Sequence, residues 1–349
     1  MHEIADIRRI DTALLRARHF PTYQKTGLFD ILGKLAWKSP LILKGPKGAG
    51  KTLGVEQWAY ENKVPFLRKS CTADTGDRQL LGAHTLKSFT ESYFSLGVLS
   101  TAIDVANQTG RCLLVLEEIN ALNEEAQKVV NSIADYRREV DLPHVGMVYR
   151  LNDEEVSPFD GKVVELEAIN DYQTSLVIVN ALEEEVHELK VATLLLRPEV
   201  VLNAVVKKGE ALSDRPQLWV VGTMNPGYGG TYDLNEDFRS RFKFIEVGFM
   251  DDAKETAVLH GKFPSKPTAA EEAFIRHLRS LAKETRGGKY GYALSLRDLE
   301  QVIEDYLSLL SLPLALKMLE GKFDSQYTND LQARVKSVFS VDLTQVTLL

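Results

Sequence analysis

The residues best suited to chemistry lie in a glycine-rich stretch, 45–52, which fits the pattern G-x-x-x-x-G-K-[ST]. Glycines let backbone N–H groups curl around phosphate groups at the positive end of the following helix. Lys51 is expected to reach the β- and γ-phosphates of a nucleotide, and the Thr52 hydroxyl to bind Mg²⁺. An apolar, strand-like run precedes the stretch at 41–43 and a helix is predicted over 53–62, so we expect bound ATP rather than a glycine-rich turn without a ligand. The candidate nucleotide-binding residues are Gly45, Pro46, Lys47, Gly48, Ala49, Gly50, Lys51, Thr52 and Leu53.

Two adjacent carboxylates, Glu117 and Glu118, follow a fully apolar run, 112–116, which predicts a buried strand. In P-loop nucleotide hydrolases a strand of this kind lies beside the phosphate-loop strand, with its acidic end close to Mg²⁺. Glu117 would then hold the metal through water, and Glu118 would polarise the attacking water as general base. The alternative is an ordinary solvated strand end, since Glu-Glu pairs are common. The phosphate loop upstream favours the catalytic interpretation.

A further apolar run, 218–221, leads to Asn225, whose side chain could hydrogen-bond the γ-phosphate or the attacking water. Two arginines, Arg239 and Arg241, follow between aromatic residues. An arginine supplied to a transferring phosphoryl group stabilises the charge of the transition state. The alternative for each arginine is a surface salt bridge, which is the stronger interpretation for either arginine taken alone.

Taken in order, these motifs resemble those of an AAA+ ATPase, and their details are most similar to the MoxR group. Within that group the stretch Thr-Met-Asn-Pro-Gly-Tyr at 223–228 is closest to the CbbQ/NorQ branch, the chaperones for Rubisco and nitric oxide reductase. The other stretches that carry the resemblance are 77–82, 117–120 and 239–242. The motifs span about 40–135 and 215–300.

The resemblance implies a role for each motif residue. Lys51 and Thr52 would be Walker A, Glu117 and Glu118 Walker B, and Asn225 sensor 1. Arg241 matches the arginine finger with Arg239 as its near neighbour, and the stretch Ser295-Leu296-Arg297-Asp298 is similar to the sensor 2 segment, which makes Arg297 its candidate. The alternative for Arg297 is a charge on a helix surface.

Two features depart from the pattern of the family. Walker B normally reads Asp-Glu, whereas this chain has Glu117 at the metal position, so we expect slower or differently tuned hydrolysis. Glu118 and Asn225 are 107 residues apart, and the excess lies at about 145–207. Strands are predicted at 145–149 and 163–166, and a helix around 182–189. The insertion could contact a substrate, enlarge a hairpin or be a structural elaboration.

In the family, the region between the second strand and Walker B is an insert that faces a central pore. Here it contains Phe89 and Tyr93, which could grip a partner or pack on the body of their own hairpin. His84 nearby is interpreted as structural.

Length and composition limit the classes of protein to consider. The chain has 349 residues, 44% of them hydrophobic, and a net charge of −7, which weighs against a dedicated nucleic-acid binder. No apolar stretch is long enough for a membrane span, and the start, with Ile4, Ile7, Ile10 and Leu14 at helical spacing, lacks a signal-peptide core. Only two cysteines occur, Cys71 and Cys112, without a metal-ligand pattern. We expect a cytoplasmic protein.

Short apolar strands that alternate with helices predict an α/β fold, a parallel sheet with helices on both faces. We expect an AAA+ P-loop core at 1–263 and an all-helical lid at 264–349.

The leading hypothesis is a MoxR-type ATPase that forms a ring, expected to be a hexamer, and remodels a partner protein complex. The family often works with a von Willebrand factor A domain protein, which would be a separate chain here. Two alternatives stay open: a nucleic-acid motor of a restriction or phage system, and an ATP-gated assembly scaffold that scarcely hydrolyses.

Overall fold

The protein is described by a computed structural model, over residues 7–8, 15–21, 23–86, 92–135, 138–142, 147–150, 161–169, 173–180, 186–190, 216–226 and 232–346. The chain divides between two compact units. The first unit comprises residues 1–19, 29–44 and 55–246, and the second comprises 20–28, 45–54 and 247–349. Each unit has its own cluster of buried apolar side chains. The predicted domain boundary at 263/264 stays a prediction.

A five-stranded parallel sheet lies in the first unit. In chain order its strands are β2 (Leu41–Lys44), β3 (Phe66–Ser70), β6 (Arg111–Glu117), β12 (Gln217–Met224) and β13 (Lys243–Glu246). Across the sheet the order is β13-β2-β12-β6-β3. The central strands are nearly continuous runs of buried apolar residues, because helices flank a parallel sheet. The predicted fold class is confirmed.

Helices connect these strands, and their positions follow the apolar patterns of the sequence. They are α1 (Gly27–Leu35), α2 (Lys51–Glu61), α3 (Asp77–Leu80), α4 (Val98–Thr109), α5 (Glu124–Ala134) and α6 (Glu236–Arg241). The caps of α5 and α6 are asparagines, Asn123 and Asn235, whose side chains accept hydrogen bonds from first-turn N–H groups. A short 3₁₀ turn, Ile119–Ala121, separates β6 from α5.

Smaller sheets complete the first unit. Their strands are β1 (Ile7–Arg8), β4 (Gly82–Leu86), β5 (Ser92–Leu96), β7 (Glu139–Leu142), β8 (Met147–Arg150), β9 (Gly161–Ile169), β10 (Gln173–Asn180) and β11 (Val186–Lys190). β4 and β5 form an antiparallel hairpin, with β1 parallel to β5. The strands predicted at 145–149 and 163–166 correspond to β8 and β9.

Two predictions of helix are wrong where the chain is described. Ile7 and Arg8 pair with β5 as a strand, although the apolar spacing at the start of the chain predicts a helix. Val186–Lys190 pair with β10 as an antiparallel strand, although a helix is predicted around 182–189. In both places hydrogen bonds to a neighbouring strand satisfy the backbone, and tertiary pairing of this kind overrides a weak local preference.

The second unit is mainly helical beyond residue 247. Its helices are α7 (Asp252–His260), α8 (Ala269–Arg286), α9 (Leu296–Leu309), α10 (Leu312–Glu320) and α11 (Thr328–Phe339). The apolar residues of α8 recur every three or four positions and form one buried face. In the part of the chain that is described, no helix has the length and apolar character needed to cross a membrane.

The amino-terminal end of α9 is fixed by a buried carboxylate, Asp298. It accepts hydrogen bonds from the backbone N–H and the hydroxyl of Ser295, at 2.8 and 2.7 Å. The backbone N–H of Asp298 donates in turn to the Ser295 hydroxyl oxygen, which completes a capping box. Lys322 and Tyr292 donate to the same carboxylate. Burial alone would raise the pKa of Asp298, but the hydrogen bonds from Lys322 and Ser295 outweigh it, so the pKa is lowered.

We expect Asp298→Asn to lower the free energy of unfolding by about 2 kcal/mol at pH 7, because it removes a charge-assisted contact to Lys322 and keeps the size of the side chain. A carboxylate with a lowered pKa stabilises the fold above its unfolded pKa of about 3.9 and loses this effect as the pH falls through the folded value. The difference from the parent protein, measured by urea unfolding, should therefore shrink below about pH 4. Asp305→Asn on the same helix is the control, since Asp305 contacts the neutral Gln301; equal losses in both variants would contradict this account.

Candidate functional site

The glycine-rich loop leaves the carboxyl end of β2 and leads directly into α2. Gly48 and Gly50 have φ angles of 75° and 78°, the left-handed region in which side chains are strained. A Cβ on Gly45 would lie 2.0 Å from the carbonyl oxygen of Val247. The loop thus needs glycine at three positions: Gly48 and Gly50 for conformation, and Gly45 and Gly48 for space.

Lys51, the first residue of α2, carries a buried ammonium group. The residue is 7% exposed, and its Nζ donates hydrogen bonds to the carbonyl oxygens of Gly45 and Pro46, at 2.8 and 2.7 Å. The amino-terminal end of a helix carries a positive partial charge and favours acidic side chains, but the first turn of α2 contains none. A cation and the positive end of a helix both favour an anion beside them. The loop therefore fits a phosphate group.

The second unit also brings the start of α9 against this loop. A Cβ on Gly48 would lie 2.1 Å from the Cβ of Ser295, so the two backbones approach closely. Arg297 follows two residues later, in the first turn of α9, and its side chain is exposed. The candidate phosphate loop and the segment that contains Arg297 are thus neighbours within one unit.

The two acidic residues that follow the apolar part of β6 differ in environment. Glu117 ends the strand half-buried, and its Oε2 accepts a hydrogen bond from the Ser70 hydroxyl at 2.8 Å and lies 3.7 Å from Nε of Arg68. Glu118 is exposed and has φ 53° and ψ 44°. A left-handed backbone at a residue other than glycine costs on the order of 1–3 kcal/mol and is concentrated at functional sites.

The turn after β6 is tied to the carboxyl end of β12. Asn120 is 3% exposed, and its Nδ2 donates to the backbone carbonyl oxygen of Asn225 at 3.2 Å, while the backbone carbonyl oxygen of Asn120 accepts from the N–H of Tyr232. Asn225, the predicted sensor residue, is half-buried at this position. The structure thus brings Asn225 to the residues that follow Glu118.

A ladder of polar side chains joins α5 to α6. Gln127, Asn131 and Asp135 lie four residues apart on α5, so they share one face. Gln127 Oε1 accepts from the N–H of Asn235 at 3.1 Å, and Asn131 Nδ2 donates to Asp237 at 2.9 Å. We call Gln127, Asn131 and the cap residue Asp135 the α5 ladder. The sequence signal for this network is a glutamine and an asparagine at helical spacing on a buried face, which none of the motifs includes.

Arg241 contacts Asp135, the last residue of the α5 ladder. Its guanidinium pairs with Asp237 and lies 3.5 Å from a carboxylate oxygen of Asp135. The hydrogen bond with Asp237 is the main cause of a raised pKa for Arg241. Arg239 on the same helix is exposed and forms no ion pair among the described residues. Within its own chain, Arg241 therefore forms the salt bridges that were the alternative interpretation of the sequence, whereas Arg239 is exposed to solvent.

Other predicted residues are placed as follows. Tyr93 is half-buried opposite Thr85 in the β4–β5 hairpin, and the ring of His84 packs edge-on against Phe94. Phe89, Gly227 and Tyr228 lie outside the described residues.

Both cysteines are free and buried, and burial raises the pKa of Cys71 to about 12. Among the described residues no group of three or more His, Cys, Asp and Glu side chains could hold a metal ion.

The chain is similar to several known proteins. Relatives include an uncharacterized protein of Staphylococcus epidermidis, 23% identical over 247 residues, or 70% of this chain and 68% of the relative. An uncharacterized protein of Staphylococcus aureus is 22% identical over 273 residues, covering 76% of this chain and 78% of the relative. A solved structure of a presumed ATPase from Cytophaga hutchinsonii aligns over 93% of this chain and 89% of that chain with 13% identity and a TM-score of 0.36, too low to support an argument. Residues 40–242 match the family described as AAA domain (dynein-related subfamily), and since this is more than half of the chain, the protein belongs to that family.

Proposed function

We propose that the protein is a MoxR-type AAA+ ATPase that hydrolyses ATP in a ring and uses the energy to remodel a partner protein complex. Membership in the AAA family supports binding and hydrolysis of a nucleotide with Mg²⁺. The observation that carries the proposal is the buried ammonium of Lys51 at the start of a helix whose first turn holds no carboxylate. The phosphates of ATP provide negative charge that both the ammonium and the helix end attract.

The roles of the other site residues follow from their chemistry. The N–H groups of 45–53 and the ammonium of Lys51 bind the phosphates, while the Thr52 hydroxyl and the Glu117 carboxylate hold Mg²⁺. Bound Mg²⁺ neutralises charge that develops on the phosphate oxygens. Glu118 accepts the proton of the attacking water, and Asn225 orients that water. Arg297, whose helix packs on the loop, contacts the phosphates from the lid.

The α5 ladder supports a trans-acting role for Arg241. The ladder fixes α6 to the helix that begins just after Glu118, so the arginine is carried by an element that is rigidly linked to the acidic end of β6. Arg241 acts on the nucleotide of the neighbouring subunit, with Arg239 beside it. Hydrolysis then depends on assembly, which is a physical reason for a ring, here proposed as a hexamer.

The client is proposed to be a protein complex, engaged with or without a separate von Willebrand factor A domain protein. Segment 77–82 is similar to the corresponding stretch of the MoxR group, Phe89 and Tyr93 lie in the region of its insert, and the CbbQ/NorQ branch is the nearest comparison for 223–228. The net charge of −7 supports a protein client over nucleic acid. Glu117 in place of aspartate fits a slow enzyme, and a phosphate-release assay separates it from an ATP-gated scaffold.

We expect Glu118→Gln to bind Mg-ATP and to hydrolyse it about 10²- to 10⁴-fold more slowly, because an amide cannot accept the proton of the water. Calorimetry measures the binding and phosphate release measures the turnover. Glu125→Gln, an exposed change of the same type on α5, is the control and should keep full turnover. If Glu117→Gln stops turnover while Glu118→Gln stays active, the two carboxylates have been assigned in reverse.

The trans action of Arg241 is tested by mixing two inactive variants. Lys51→Ala should lose ATP binding, and Arg241→Ala should bind ATP but lose about 10³-fold in turnover. Mixed assemblies contain interfaces with an intact Lys51 on one side and an intact Arg241 on the other, so phosphate release should recover. If no activity returns although light scattering confirms mixed assembly, Arg241 acts within its own chain or only structurally. Arg239→Ala is then the next variant.

The α5 ladder predicts an asymmetry in the same mixture. Asn131→Asp keeps the size of the side chain but places a carboxylate against Asp237. In the Lys51→Ala subunit, which supplies the arginine, this change should lower the recovered activity about 10- to 100-fold by misplacing α6. In the Arg241→Ala subunit it should have little effect. Equal losses in either subunit would indicate a structural role only.

A further inference from the structure

A cleft of about 400 Å³ opens in the first unit, and none of its lining residues belongs to the glycine-rich loop or to the acidic end of β6. It lies between β3, α3, the β4–β5 hairpin and the start of α4. The polar side chains that line it are Lys69, Arg78, Gln79, Thr85, Ser95 and Thr101. Two of these are cations, four are neutral, and none is a carboxylate.

Lys69 has no carboxylate partner among the described residues. Alternate side chains of a strand point to opposite faces, so Lys69 shares the face of Leu67 and lines the cleft. Arg68 faces the other way, where it lies within 4 Å of carboxylates on Glu56 and Glu117. Lys69 is half-buried, and neither it nor Arg78 forms an ion pair among the described residues. A half-buried lysine next to a second cation is stabilised by an anion.

The start of α4 adds a positive helix end to the same cleft. Gly97 is the cap residue and has no side chain to accept hydrogen bonds from the first-turn N–H groups. Both Gly97 and Val98 line the cleft, and α4 is 12 residues long. This end of the helix carries a positive partial charge and attracts anions.

Thr101 is an independent sign of a ligand. It is 9% exposed, lines the cleft, and its hydroxyl has no hydrogen-bond partner among the described residues. Its neighbour Ser100, equally on the first turns of α4, donates to the carbonyl oxygen of Leu81 at 2.6 Å. The hydroxyl is not one of the fully enclosed polar atoms, so it is open to the cleft and is positioned to donate to a molecule there.

We propose that this cleft binds a phosphate group, as part of a small phosphate-bearing molecule distinct from the ATP of the glycine-rich loop. Lys69 and Arg78 supply two positive charges, which a phosphate monoester with close to two negative charges neutralises at pH 7. Thr101 and the first turn of α4 supply uncharged donors. The volume falls in the range of small-molecule sites, so the phosphate can carry an attached group.

The test uses inorganic phosphate as the probe and calorimetry or ³¹P line broadening as the readout. All variants carry Lys51→Ala, so that binding at the glycine-rich loop does not contribute. We expect phosphate to bind this background protein, and Lys69→Met and Thr101→Val to weaken the binding about 10- to 100-fold each, as for the loss of one hydrogen bond to a charged group. Lys128→Met, which removes an exposed charge on α5, should leave the affinity unchanged.

Two outcomes would overturn the proposal: no binding of phosphate by the background protein, or binding that Lys69→Met and Thr101→Val leave intact. Arg78→Gln changes an exposed residue and should also weaken binding, which keeps the test valid if a buried change reduces folding. An equal loss with Lys128→Met would reveal nonspecific attraction and would likewise overturn the proposal. The result is independent of the proposed ATPase function, since no readout involves hydrolysis.

Discussion

The candidate nucleotide site depends on one electrostatic constraint, which is the burial of the Lys51 ammonium at the positive end of α2. In isolation this arrangement is unfavourable, because the partial charge of the helix end and the charge of the lysine have the same sign. The carbonyl oxygens of Gly45 and Pro46 accept hydrogen bonds from the ammonium. The loop conformation that brings them there requires left-handed glycines at 48 and 50. Sequence, strain and burial are thus all consistent with the binding of an anion.

The parallel sheet determines where the remaining chemistry lies. Because its strands all run in one direction, Glu117 and Asn225 emerge from the same edge, and the hydrogen bond from Asn120 to the backbone of Asn225 ties the two strand ends together. The α5 ladder extends this connection to α6. Partly buried hydrogen bonds and α5 itself thus connect the acidic end of β6 with Arg241.

Charge compensation also distinguishes the proposed phosphate cleft from an ordinary polar surface. Arg68 and Lys69 are adjacent in sequence, but successive side chains of a strand point to opposite faces. Arg68 therefore lies near carboxylates, whereas Lys69 lines a cleft whose described lining residues include no carboxylate. Exposed lysines need no partner, because water solvates them. A half-buried lysine that shares a cleft with an arginine, a helix end and a threonine hydroxyl is a different case, since these groups together attract an anion.

The sequence by itself determined the parts of this protein that local patterns encode. Apolar runs at 41–43, 112–116 and 218–221 gave the central strands, since strands buried on both faces must be continuously apolar. The spacing of glycines and lysine at 45–52 gave the phosphate loop, because that conformation needs those residue types at those positions.

The tertiary structure alone decided features that depend on residues far apart in the chain. Ile7–Arg8 and Val186–Lys190 became strands because neighbouring strands were available to pair with them. The contacts of Arg241 with Asp135 and Asp237, and the packing of Ser295 on Gly48, join segments whose proximity no local periodicity encodes. A hydrogen bond or an ion pair depends on distances of a few ångströms, and those distances are set only when the whole chain has folded.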